Sequence, residues 1–108
     1  EEMMIATTNG EISDIAITII PDEFILEKAY PNPFNPVTTL SFALPDQIDV
    51  SLSIYNLEGK KVATLVQGNM EAGYHSINWN ADSYGSGIYF VNMIAGEYVN
   101  TQKLMLIK

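Results

Sequence analysis

The residues able to do chemistry are few. His75 is the only histidine and cysteine is absent, so no thiolate nucleophile, thiolate metal site or disulfide framework is available. Neither a G-x-S-x-G elbow nor an H-E-x-x-H pair occurs, which leaves no nucleophile–base couple and no zinc set. The carboxylates are scattered and form no D-x-[DN]-x-[DN]-G loop. A weak calcium site could draw on Asp46, Asp49 or Asp82 with backbone carbonyls, but solvated loop acids are the plainer reading. No cofactor, no metal and no catalysis are expected. Binding chemistry has more material: Trp79, Tyr74, Tyr84, Tyr89 and Tyr98 could stack on sugar rings. Trp79 shares its strand parity with Ile77, which predicts a filler between two sheets. Tyr84, in a glycine-flanked loop, is the best exposed candidate. His75 has the same parity as Ile77 and Trp79 and reads as structural.

The elements that would position these residues are strands. In "VTTLSFAL" Leu40, Phe42 and Leu44 share one face; in "DVSLSIYN" the inward set is Val50, Leu52 and Ile54. "HSINW" sets His75, Ile77 and Trp79 against Ser76 and Asn78. "GIYFVNMIA" is apolar on both faces, and polar Asn92 points Tyr89, Val91 and Met93 inward. "VATLV" and "KLMLIK" are too uniformly apolar for parity to be assigned. Between these runs fall "PDQID", "NLEGK", "MEAG", "NADSYGSG" and the hairpin turn "AGE", where Gly96 can take φ > 0. Short strands at near-regular spacing predict an all-β, antiparallel, immunoglobulin-like sandwich of about seven strands, with an extra hairpin or strand at its N-terminal end.

The charge bounds the partners. The 108 residues carry 13 acids against five lysines, a formal charge of −8. Nucleic-acid binding needs a cationic footprint, which is missing, and anionic membrane surfaces are disfavoured likewise. No apolar run reaches the ~18–20 residues that span a bilayer, so no membrane insertion is expected. Glu1 and Glu2 stand where a basic signal-peptide region would begin, and the chain reads as the C-terminal end of a longer protein. The first 30 residues are the more acidic part, which places a boundary near residue 22. "TTNGEI" puts the turn pair Asn9–Gly10 between two strand-like runs. Residues 1–21 therefore read as the closing hairpin of a preceding immunoglobulin- or cadherin-like domain, or a linker hairpin, and residues 22–108 as the domain proper. Alternatively, the first segment is an extra edge strand of the same sandwich. An orphaned apolar strand is a pairing hazard, so a strand-exchange dimer is also anticipated.

Four stretches taken together resemble the C-terminal sorting domain of the Por, or type IX, secretion system. They are "IPDEFILEKAYPNPFNPVTTLSFALP", "VSLSIYNLEGKKVATLV", "AGYHSINWNA" and "SGIYFVNMIAGEYVNTQKLMLIK". The strand style of "TTLSFALP" and "GIYF" is also similar to the immunoglobulin-like domains of flagellar hook-capping proteins. The proline lead-in and the lysine ending favour the sorting domain. The resemblance implies a non-catalytic address. A passenger in cis would reach the periplasm by its own signal, then be directed by this domain to an outer-membrane translocon and on to the cell surface or medium. A sortase-like peptidase would remove the domain. The resemblance places recognition at Gly87, Tyr89, Gly96 and the tail Lys103, Leu104, Met105, Leu106, Ile107 and Lys108, and gives the tail an exposed pairing edge with a fixed charge. A carbohydrate-binding or purely structural module of a surface protein is the alternative.

The lead-in is Pro31, Asn32, Pro33, Phe34, Asn35 and Pro36. Each proline lacks a backbone N–H and fixes φ near about −65°, and the residues before them are pushed toward extended conformations. A stiff, extended segment unable to donate a full ladder is expected, protecting the sheet's edge.

Overall fold

The computed structural model describes residues 20–108. Seven strands follow one another: β1 (Ile25–Leu26), β2 (Val37–Leu44), β3 (Ile48–Tyr55), β4 (Lys61–Met70), β5 (Gly73–Asn80), β6 (Gly87–Ala95) and β7 (Tyr98–Leu106). They form two sheets, β1-β2-β5 and β4-β3-β6-β7, and every strand pairing is antiparallel. No helix occurs among the described residues. This is the all-β sandwich that the alternation predicts. The hairpin expected within residues 1–20 lies outside the described residues except for Ile20.

The alternation builds the core directly. Leu40, Phe42 and Leu44 of one sheet face Val50, Leu52, Ile54, Val91 and Met93 of the other, and all are buried. Each such side chain contributes roughly 1.5–3 kcal/mol by leaving water. β7, unassigned by parity, turns Leu104 and Leu106 inward. In β4 the uniform run "VATLV" is accommodated by two register shifts against β3, which leave Val62 and Leu65 without cross-strand partners. Both pack half-buried against the core, because a bulge rotates successive side chains out of strict alternation.

One departure from simple parity stands out in β2. Ala43 falls on the outward set of β2 yet is fully buried, flanked in register by Ile25 of β1 and Tyr74 of β5. Thr38 lies on the inward set with Leu40, Phe42 and Leu44, and its buried hydroxyl is satisfied by donating to the Pro31 carbonyl at 2.7 Å. The hairpin between β6 and β7 closes on Gly96 at φ 62°. The left-handed backbone there favours glycine, and an added Cβ, 2.8 Å from Ile48 Cδ1, would also make the tip of that side chain shift.

Candidate recognition surface

The proline-rich lead-in, the last strand and the loop of residues 81–86 converge at one end of the sandwich. The lead-in is bent rather than extended, turning at residues 31–33 and again at 35–36. It touches both sheets. Tyr30 bridges to Thr39 of β2 through N–H···O bonds of 3.1 and 3.0 Å. Phe34 bridges in parallel to Leu106, its N–H donating to Met105 O at 2.9 Å and its carbonyl accepting from Ile107 N at 3.0 Å. Between them the Asn32 amide forks onto β7, with Nδ2 donating to Lys103 O and Oδ1 accepting from Met105 N. The bent segment is thus held against both sheets, where a stiff, extended lead-in was expected.

The edge-protecting role expected of the lead-in is present, and it falls on β7. The final strand's edge is therefore not fully exposed, as the tail's anticipated pairing role required: from Lys103 O to Ile107 N it is already occupied. Further back, Gln102 joins β7 to the chain before the lead-in. Its Oε1 accepts from Ala29 N at 3.1 Å, and its Nε2 donates to Leu26 O and Glu27 O. Tyr98 accepts at its hydroxyl from Leu26 N. The role of Gln102 is not legible in the sequence, where the parity of β7 is unassigned, and Tyr98, a candidate for stacking on sugars, instead stacks on Phe24 at 5.7 Å. With Leu104 and Leu106 inward, Gln102, Asn100 and Tyr98 follow on the same side.

Beneath the lead-in lies an aromatic cluster. Trp79 stands 5.6 Å from Phe34, 5.5 Å from Tyr84 and 5.6 Å from Tyr89, centroid to centroid. Trp79 is buried between the sheets, as its parity predicts. Tyr84 corrects the expectation of an exposed loop platform: its ring packs on Trp79 and Tyr89, and its hydroxyl donates to Val62 O at 2.9 Å. An aromatic face covered by other rings offers nothing to a sugar. Tyr89 donates to Gly85 O at 2.7 Å. His75 stacks on Phe42 at 5.3 Å, and its Nε2 lies 2.8 Å from Glu71 O, contacts of a packing residue. Among the described residues no group of three or more His, Asp or Glu side chains gathers to hold a metal. Asp49 instead accepts from Asn69, and the Asp82 backbone is engaged at both its N–H and its carbonyl.

Of the residues expected to be read by a partner, Leu104, Leu106 and Tyr89 are buried. Met105 is half-buried; Gly87, Gly96, Lys103, Ile107 and Lys108 are exposed. Gly87 pairs with Leu106 and lies at the converging end, whereas Gly96 sits at the far end of β6. At about 3.3 Å per residue, that strand separates them by nearly 30 Å. Lys108 folds back onto the 81–86 loop: its ammonium donates to Asp82 O at 2.6 Å and to Tyr84 O at 3.0 Å, and its backbone N–H donates to Ser86 Oγ.

The lead-in, aromatic cluster and last strand thus form one assembly built from both ends of the sandwich sequence. Residues 28–108 match the family described as the secretion system C-terminal sorting domain. The chain belongs to that family. No curated protein matches it. The matched span begins at Lys28, just before the lead-in, and runs through the lysine that closes on the 81–86 loop. Domains of this family are in general non-catalytic sorting signals for type IX secretion. The chain works with the type IX secretion machinery and accompanies export to the cell surface or beyond. Of the five rings named for stacking on sugars, Trp79, Tyr84 and Tyr89 pack on one another and Tyr98 stacks on Phe24; Tyr74 alone stands exposed, and a single ring makes no sugar-binding platform.

Proposed function

We propose that residues 22–108 are the address and residues 1–21 belong to what precedes it, a passenger that this domain carries from the periplasm through an outer-membrane translocon. A sortase-like peptidase then separates the two. The observation that supports this most directly is the family match over the span that contains both the lead-in and the tail. On this reading the machinery touches the exposed residues of the converging end: Gly87, Lys103, Ile107 and Lys108, with Met105 partly accessible. Leu104, Leu106 and Tyr89 act by holding that surface in shape. The lead-in fixes the direction in which the upstream chain leaves, which keeps the cleavage region away from the sheet edge.

The test is export of a folded reporter fused to residues 21–108 in a bacterium that carries this machinery. Deleting Lys103–Lys108 is a poor probe, because it also removes two fully buried leucines. Ile107→Ser combined with Lys108→Glu changes only exposed side chains. The parent fusion is expected at the surface or in the medium, and the double variant in the periplasm, with the two melting within a few degrees of each other. Equal export of both would show that the tail tip is not what the machinery reads.

A further inference from the structure

The edge of β7 is covered only in part. Lys103 O, Met105 N and O, and Ile107 N all turn away from β6 toward the lead-in. In an antiparallel strand, alternate residues direct both backbone groups to the same side. The N–H and C=O groups of Val99 and Thr101, and the N–H of Lys103, therefore point to that same edge. Among the described residues no backbone hydrogen bond reaches them. Their side chains are exposed, Val99 at 60%. Beside this open stretch lies a cleft of about 510 Å³ lined by Leu26, Lys28, Ala29, Asn100, Gln102 and Lys103, with Asn32 at its end. Two of its side chains are held in place, the amides of Gln102 and Asn32 both being hydrogen-bonded to backbone. Two of the five lysines of an otherwise acidic chain stand at its rim. Among the described residues neither ammonium makes a hydrogen bond, in contrast to that of Lys108.

We infer that the open edge Val99–Lys103, with the Lys28 and Lys103 cleft, receives an extended, carboxylate-bearing peptide strand of the protein's export partner. Backbone groups left unpaired on a sheet edge recognise another backbone, and neighbouring side chains select its sequence. Here the selecting groups are cationic, so an acidic strand is preferred and a basic one repelled. The lead-in ends the site: a strand added from Val99 is stopped at Lys103 by Asn32 and Phe34, which sets a length of about five residues. This inference rests on the sorting role for the partner's identity, but not for the binding itself.

The probes are two acetylated, amidated peptides, TEVEVET and TKVKVKT, added to the 15N-labelled full chain. The acidic peptide is expected to shift the amides of Val99, Thr101, Lys103 and residues 26–29, and to bind at least tenfold more tightly than the basic one. Thr101→Pro removes an edge N–H that the protein's own ladder does not use, a position where proline is tolerated; it should abolish the shifts. Lys28→Glu, which touches no backbone group, should weaken binding at least fivefold and serves if the proline variant does not fold. Absence of shifts, equal affinity for the two peptides, or binding unchanged in Lys28→Glu overturns the inference. A dimer in sedimentation that Thr101→Pro dissociates would also overturn it, by making a second copy the occupant. None of these outcomes depends on export, so the peptide site can fail while the tail-tip experiment still upholds the sorting role.

Discussion

Ser53 lies within β3, paired with Thr64 of β4 and Asn92 of β6. The alternation in "DVSLSIYN" sets it opposite Leu52 and Ile54, on the outward face. It is nevertheless 1% exposed, and its hydroxyl has no partner among the described residues. The first register shift between β3 and β4 falls at this residue, where a bulge increases local twist and brings neighbours over the strand. A buried hydroxyl without a hydrogen bond costs about 1–3 kcal/mol in lost solvation. Ser53→Ala removes that cost at the expense of little volume. The variant is expected to be more stable by about 1 kcal/mol, which for a domain of this size raises the melting temperature by roughly 4–8 °C. Thermal melts of the two proteins check it; a lower melting temperature would mean that the hydroxyl is bonded in solution.

At the scale of elements, the strands were legible and the connections between distant segments were not. Six runs are marked by period or apolar composition, and parity alone places Leu40, Phe42, Leu44, Val50, Leu52, Ile54 and Trp79 inward. β1 was missed because two residues carry no period. The bend of the lead-in was missed for a different reason. Proline fixes local φ, but the contacts that hold this segment in place are Asn32 on Lys103 O, 71 residues away, and Phe34 on Leu106. No window along the chain contains both partners. The recognition residues carry the same lesson: family resemblance named the tail, and only packing separated its buried leucines from its exposed lysines. Phe34 makes the coupling measurable. It is 2% exposed and lies against Trp79, so Phe34→Ala should cost about 3–5 kcal/mol. It should also change Trp79 fluorescence in the folded state, because the ring that shields the indole from the lead-in side is gone. A denaturant midpoint close to that of the parent would show that the lead-in rests on the core without contributing to it.

At the scale of the whole molecule, the first and last segments of the described chain close the sandwich on each other. Leu26, Ala29, Asn32 and Phe34 are bonded to Tyr98, Gln102, Lys103, Met105 and Ile107. The residues that would serve as an address are thus continuous with residues that complete the core, and two truncations separate the roles. Removing Ile107 and Lys108 deletes exposed side chains together with the contacts to the 81–86 loop and the Phe34 carbonyl; a cooperative melt a few degrees below the parent is expected. Removing Lys103–Lys108 takes away Leu104 and Leu106, each worth about 2–5 kcal/mol in a core, and with them the partners of Asn32 and Phe34. Set against a total stability of about 5–15 kcal/mol for a small domain, that loss should leave no cooperative transition in circular dichroism and collapse the dispersion of an amide spectrum. If the shorter chain instead melts sharply near the parent temperature, β7 does not close the core. If it unfolds as expected, loss of export on removing the tail reports loss of the fold, and only variants such as Ile107→Ser with Lys108→Glu report recognition.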